Sequence, residues 1–170
     1  MAHKAQRDFF ERVKVQFPAF FEDKKVLDCG SLDINGSLKD LFTGGEYAGA
    51  DIHEGPNVDI VSATHELPYD NELDVVISAE MLEHDEHWKA SLQHMYKMLK
   101  PGGLLIISAA SEGREEHGTK GLNWGTSPDY YGNISEKHFK AAFDLEKQFK
   151  DRYMEYNPVD KDIYFYGFKS

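Results

Sequence analysis

The sequence predicts a doubly wound α/β sandwich: a mostly parallel sheet with helices on both faces, closed by a C-terminal antiparallel hairpin. Three observations carry this. Short apolar runs alternate with segments of helical period. Two of the runs, Leu73 to Ser78 and Leu104 to Ser108, are almost continuously apolar, as strands covered on both faces are. The chain then ends in two strand-like segments around the turn "NPVDKD". Strand–helix alternation followed by a hairpin points to this architecture.

The elements follow in order. Phe9, Val13, Phe17 and Phe20 or Phe21 recur at helical spacing, so residues 1–22 read as an amphipathic N-terminal helix disturbed at Pro18. Lys25 to Cys29 is a short buried strand. A short helix, roughly Gly36 to Phe42, turns Leu38, Leu41 and Phe42 inward and stops at Gly44-Gly45. Tyr47 to Ile52 is a second strand and Val58 to Val61 a third. Trp88, Leu92, Met95 and Leu99 mark a helix, which Pro101-Gly102-Gly103 ends. Residues 109–134 show no period, and a loop of that length is uncommon unless functional. Ser135 caps a helix carrying Phe139, Ala142 and Phe143. Strands near Asp151 to Tyr156 and Ile163 to Phe168 close the chain. One feature resists the plan. Only "HEGPN" separates the second strand from the third, whereas a parallel crossover needs about a dozen residues. Either the third strand is vestigial or its preceding helix has been deleted.

The chain has 170 residues and is 41% hydrophobic, which fits a single domain over 1–170. No apolar run approaches the ~20 residues of a membrane span, and Met1-Ala2-His3-Lys4 does not open a secretory signal. The single cysteine, Cys29, suits a reducing cytoplasm. The formal charge of −11 argues against nucleic acid, because phosphate contacts need clustered Lys and Arg. Oligomeric state is not legible.

In doubly wound sheets, ligands sit beyond the carboxyl ends of the strands. The segments expected there are Asp28–Gly36, Asp51–His53, Ala63–His65 and Ser78–His84. The first, in "VLDCGSLDINGSL", reads either as a cofactor loop or as a tight strand–helix turn with an Asx cap. A dinucleotide loop, GxGxxG, is disfavoured: Leu32 stands where the second glycine belongs, and Asp33 would repel phosphates. A phosphate-free, cationic cofactor such as S-adenosylmethionine fits better. Asp28 suits its ammonium group. Asp51, 23 positions on, suits its ribose hydroxyls, or is a solvated strand end.

The order "VLDCGSLDING", "YAGADIH", "HELPY", "LDVVISAEMLEH" and "LKPGGLLIIS" resembles the class I S-adenosylmethionine-dependent methyltransferases over roughly residues 25–110. The later "GREEHGT" and "SPDYYGNISEKHF" resemble a small bacterial and phage branch of them. The resemblance implies a Rossmann-like sheet. It places Asp28, Gly30 and Ser31 around the methionine end, Asp51 at the ribose and Ile52 against adenine, and Asn35 is a further candidate cofactor contact in the first loop. Ala79 is a backbone contact to the amino acid part. The acidic residue usual before "HELPY" is Ala63 here, which leaves the adenine amino group to an acceptor near Thr64 or His65. The family builds its acceptor pocket after the fifth strand, which makes 110–133 the acceptor-side loop.

"EMLEHDEHW" is the second chemical feature. On a helix, Glu80, Glu83 and His84 share one side. Two carboxylates and an imidazole are a ligand set for Mg²⁺, Mn²⁺ or Zn²⁺, and similar ExxEH sequences bind metal in some relatives. The same residues also make an acidic helix start. His84, His117 in "EEHG" and Tyr131 are the candidate catalytic residues, as bases or acceptor contacts. The expected function is methyl transfer to a small or exposed acceptor, with O-methylation favoured. The alternative is a cofactor-binding domain without transferase activity. A nicotinamide-dependent oxidoreductase is disfavoured by the acidic loop.

Overall fold

The computed structural model describes residues 4–34, 36–117 and 130–170. Helix α1 (Lys4–Gln16) places Gln6, Phe9, Phe10 and Val13 on one buried face. Pro18 breaks it, and Pro18–Phe21 forms a separate 3-10 turn, so the helix expected over 1–22 is two pieces. The strands are β1 (Lys25–Cys29), β2 (Glu46–Asp51), β3 (Ile60–Val61), β4 (Leu73–Ala79) and β5 (Leu99–Ala110), with α2 (Trp88–Met98) between the last two. Then come α3 (Glu136–Ala142), α4 (Leu145–Gln148) and the hairpin β6 (Phe149–Asn157) and β7 (Asp162–Lys169). The sheet order is β3-β2-β1-β4-β5-β7-β6. The first five strands pair in parallel, while β7 runs antiparallel to β5 and β6. This is the doubly wound sandwich with its antiparallel ending.

Alternate residues of the central strands feed two cores. Leu27, Val76, Leu105 and Ile107 pack under α2 and α3. Val26, Val75, Ile77, Leu104 and Ile106 pack under α1. Burial on both faces explains the nearly continuous apolar runs. No described helix is long and apolar enough to cross a membrane.

Two expected elements come out differently. The helix predicted from Gly36 to Phe42 is a 3-10 turn at Lys39–Leu41. Here the Asp33 carboxylate accepts from Gly36 N (2.7 Å) and the Ser37 hydroxyl from Lys39 N (3.0 Å). Short polar side chains thereby take backbone donors in a non-helical arrangement. Leu38 and Leu41 are nevertheless buried.

The third strand is real but only two residues long, pairing Ala50 with Ile60 and Asp51 with Val61. The crossover helix before it is absent. In its place residues 52–59 fold back on the sheet. Gly49 N donates to Asp59 Oδ2 and Asp59 N to Gly49 O, both at 2.8 Å. The Ser31 hydroxyl donates to Asn57 O, and the Asn57 amide returns a bond to Ser31 O. Thus a backbone clasp does the covering that a helix does elsewhere, and it bonds directly to the loop after β1.

Candidate cofactor and acceptor site

A shallow cleft opens at the carboxyl ends of β1 and β4, lined by Asp28, Gly30, Ser31, Leu32, Ser37 and Ala79 among others. Gly30 has φ +83°, and a Cβ there would overlap Met81 Cβ, on the segment leaving β4. Glycine is therefore required both by the backbone turn and by the approach of that segment. Asp28 is buried, and its carboxylate accepts from the Tyr47 hydroxyl at 2.6 Å. Burial pushes its pKa up to about 6, against the pull of the Tyr47 bond. A buried carboxylate with one neutral donor is a ready partner for an ammonium group. Asn35 lies outside the described residues.

At the end of β2, Asp51 Oδ1 accepts from His53 N (3.0 Å) and Oδ2 from Leu32 N (3.3 Å). Each oxygen keeps a further lone pair, so the carboxylate is oriented yet able to receive a vicinal diol. Ile52 beside it is 56% exposed, an apolar side chain left open to solvent. Ser62 N donates to Asp51 O (2.9 Å), which leads the chain from β3 into the 3-10 turn Thr64–Glu66. Thr64 is buried with its hydroxyl toward the Cys29 thiol, whose pKa burial pushes far up. Cys29 is thus packing rather than chemistry. The residues read from the sequence as cofactor contacts accordingly gather along the ends of β1, β2, β3 and β4.

The acidic motif needs correction. It is not an α-helical turn: Glu80 has φ +52° and Leu82–His84 form a 3-10 turn. The expected single-face grouping of Glu80, Glu83 and His84 is therefore lost. Glu80 meets the Arg114 guanidinium at 3.2 Å instead. Glu83 and His84 are joined by His117, and one ligand atom from each of the three lies within 4.8 Å of the others. Glu83 is fully buried; Oε1 accepts from Ala110 N (3.2 Å), and Oε2 has no hydrogen-bond partner among the described residues. Burial holds this carboxyl well above the usual range. His117 Nδ1 lies 3.1 Å from Glu115 O, and as a donor there it leaves a lone pair on Nε2, which is buried without a hydrogen-bond partner among the described residues. The rings of His84, His117 and Tyr131 meet in pairs at 5.3–5.4 Å between centroids. The three candidate catalytic side chains therefore do come together.

Both ends of the acceptor-side loop are tied down; residues 118–129 lie outside the described residues. Gly132 N donates to Glu83 O and Ile134 N to Ala110 O, both at 2.8 Å. Arg114, which the motif reading passed over, donates to Glu80 and Asp162 (2.7 Å) and to Asp160 O, and its carbonyl accepts from the Asn133 amide. Gln6 Nε2 reaches Asp162 Oδ2 at 3.4 Å. A signal for Gln6 existed: it shares the 6, 9, 10, 13 stripe with three apolar residues. Arg114 and Tyr47 carried none beyond residue type.

The profile of the methyltransferase domain family matches residues 1–152. No curated protein sequence matches the chain. Among solved structures, a 1,6-didemethyltoxoflavin-N1-methyltransferase from Burkholderia thailandensis, bound to 1,6-didemethyltoxoflavin and S-adenosylhomocysteine, superposes with a TM-score of 0.64 at 15% identity, over 95% of this chain and 78% of that one. Magnesium protoporphyrin IX methyltransferase from Synechocystis, with bound S-adenosylmethionine, gives 0.64 at 15% identity, over 100% and 86%. Phosphoethanolamine N-methyltransferase 2 from Haemonchus contortus, in complex with S-adenosylmethionine, gives 0.68 at 15% identity, over 95% of this chain but 52% of that one.

Proposed function

Because the chain belongs to the methyltransferase domain family, a family that uses S-adenosylmethionine, we propose that it transfers a methyl group to a small-molecule hydroxyl held beneath the acceptor-side loop. The observation that carries this is the Glu83–His84–His117–Tyr131 cluster on the segments that follow β4 and β5, together with a cleft lined by Asp28, Gly30 and Ala79 at the ends of β1 and β4. Small acceptors are in keeping with the toxoflavin and protoporphyrin relatives. The free, buried Cys29 suits work in the cytoplasm.

Bound S-adenosylmethionine supplies a methyl group already activated by its sulfonium. What the chain adds is position and a proton acceptor. Asp28 holds the ammonium, the Gly30–Ser31 backbone lies along the amino acid part, and Asp51 takes the ribose hydroxyls. Ile52 packs on adenine. His117 Nε2 accepts the proton of the acceptor hydroxyl, while Tyr131 and His84 wall the pocket. In an alternative arrangement, Glu83, His84 and His117 would hold one divalent cation of the Mg²⁺, Mn²⁺ or Zn²⁺ class, and His117 Nε2 would then be a ligand instead of the proton acceptor. The partnerless Glu83 Oε2 and His117 Nε2 fit that role. A cation there would lower the pKa of an acceptor hydroxyl, which favours oxygen over nitrogen. This organised cluster supports turnover over the alternative of binding without transfer.

The test is calorimetry with S-adenosylhomocysteine, followed by radiolabelled methyl transfer to a panel of phenols, alcohols and amines. Micromolar or tighter binding with label on hydroxyl acceptors is the expected result. Label confined to amines would overturn the oxygen preference, and binding without transfer to any of them would favour the binding-only reading.

A further inference from the structure

We propose that His65 receives the adenine amino group of the cofactor, and that the His87 ring covers this position in the free protein. The inference rests on S-adenosylmethionine being the cofactor and names the group that reads its base. An exocyclic amino group is a donor and must meet an acceptor once desolvated. The turn after β3 adjoins the Asp51–Ile52 end of β2, where the base follows the ribose. The acceptors there include Ala63 O, the Thr64 hydroxyl, His65 Nδ1 and the Glu66 carboxylate, which is exposed and so served by solvent. Ala63 O already accepts from both the Ser62 hydroxyl (3.1 Å) and Glu66 N (3.0 Å). The Thr64 hydroxyl faces the Cys29 thiol. His65 Nδ1 is buried and has no hydrogen-bond partner among the described residues. A buried ring nitrogen without a partner is costly to keep, and a ligand donor satisfies it.

The ring over His65 is that of His87, at 4.7 Å between centroids and tilted by 58°. His87 precedes α2, and its side chain is 58% exposed. It can swing into solvent as the purine takes its place against His65. With Nδ1 accepting, the His65 proton sits on Nε2. Position 63, where a carboxylate would serve, is alanine, so the imidazole of the next turn does the reading.

The experiment is a binding comparison by calorimetry. S-adenosylhomocysteine is titrated against its 6-deamino analogue, which carries an unsubstituted purine. The wild-type protein should bind the analogue roughly five- to tenfold more weakly, the scale of one hydrogen bond. His65→Phe keeps a ring but removes the acceptor. It should weaken S-adenosylhomocysteine by a similar factor and close the gap between the two ligands. His65→Asn, with an amide oxygen near the Nδ1 position, should reopen the gap. His87→Ala should leave it intact. Full discrimination in His65→Phe would assign the amino group elsewhere, as would equal binding of both ligands by the wild type. If the wild type binds neither ligand, the cofactor assignment itself falls, and this inference with it.

Discussion

Arg114 Nη1 lies 2.7 Å from Asp162 Oδ1, which joins the stem of the acceptor-side loop to the first residue of β7. The Asp162 side chain is fully buried and Arg114 is 25% exposed. Removing the guanidinium leaves a buried carboxylate without its cationic partner. Breaking such a pair from one side costs roughly 3–5 kcal/mol. Arg114→Ala should therefore lower unfolding stability by about that amount in urea titrations. Arg114→Ala combined with Asp162→Asn should recover part of the loss. A single-mutant loss near zero would show that the bridge contributes nothing to the fold.

Asp51 accepts two backbone bonds that orient its carboxylate, and the ribose diol is its proposed ligand. Asp51→Ala should weaken S-adenosylhomocysteine binding by roughly 1–3 kcal/mol, the scale of lost charged hydrogen bonds. Unchanged affinity in a folded variant would remove Asp51 from the cofactor site.

Asp28 makes the free protein sensitive to pH in an unusual direction. Its pKa rises from 3.8 in the ordinary state to about 6 in the fold, mainly through burial. The native state therefore holds the proton more tightly than the unfolded chain. The resulting stability is fully present below the ordinary pKa and is lost as pH rises through about 6. Asp28→Asn should flatten that part of the profile, measured as midpoint against pH between 4 and 7. Tyr47→Phe should move the transition to higher pH, because it deletes the bond that favours the carboxylate. An identical profile in Asp28→Asn would exclude this residue as its source.

Chelation decides the role of the Glu83, His84 and His117 cluster. Activity should fall after exhaustive treatment with a chelator and return with Mg²⁺, Mn²⁺ or Zn²⁺. Glu83→Gln should lose the response to added metal. Full activity in stripped protein, with no stoichiometric metal by elemental analysis, would leave His117 acting as a base alone.

Particular residues show where the sequence was readable. Val75, Ile77, Leu105 and Ile107 announced a twice-covered sheet because burial on both faces requires consecutive apolar residues. The positions of Asp28, Gly30 and Asp51 at the ends of β1 and β2 were legible because strand ends are marked by local pattern. Glu80 was misread for the same reason. Helical spacing aligned it with Glu83 and His84, but the chain turns left-handed at Glu80 and points its carboxylate to Arg114, 34 residues away. The pairing of Arg114 with Asp162, and the replacement of the β2–β3 helix by the Asn57–Asp59 clasp, depend on contacts between distant segments. Short-range pattern showed only that the helix was missing, from the brevity of "HEGPN", and carries no trace of the contacts themselves.

The contact of Gln6 with Asp162 spans 156 positions of the chain. On the ribosome, Gln6 is made 156 residues before Asp162. Helix α1 can cover its apolar stripe early, but the Gln6–Asp162 contact closes only after β7 has been made. Until then Gln6 lacks its distant carboxylate partner, and Arg114 has Glu80 without Asp162. Assembly of the reactive end is thus a late event, since contacts between remote segments wait on the closure of long loops. Fragments released before β7 would carry the cofactor motifs without the frame that orders the acceptor side.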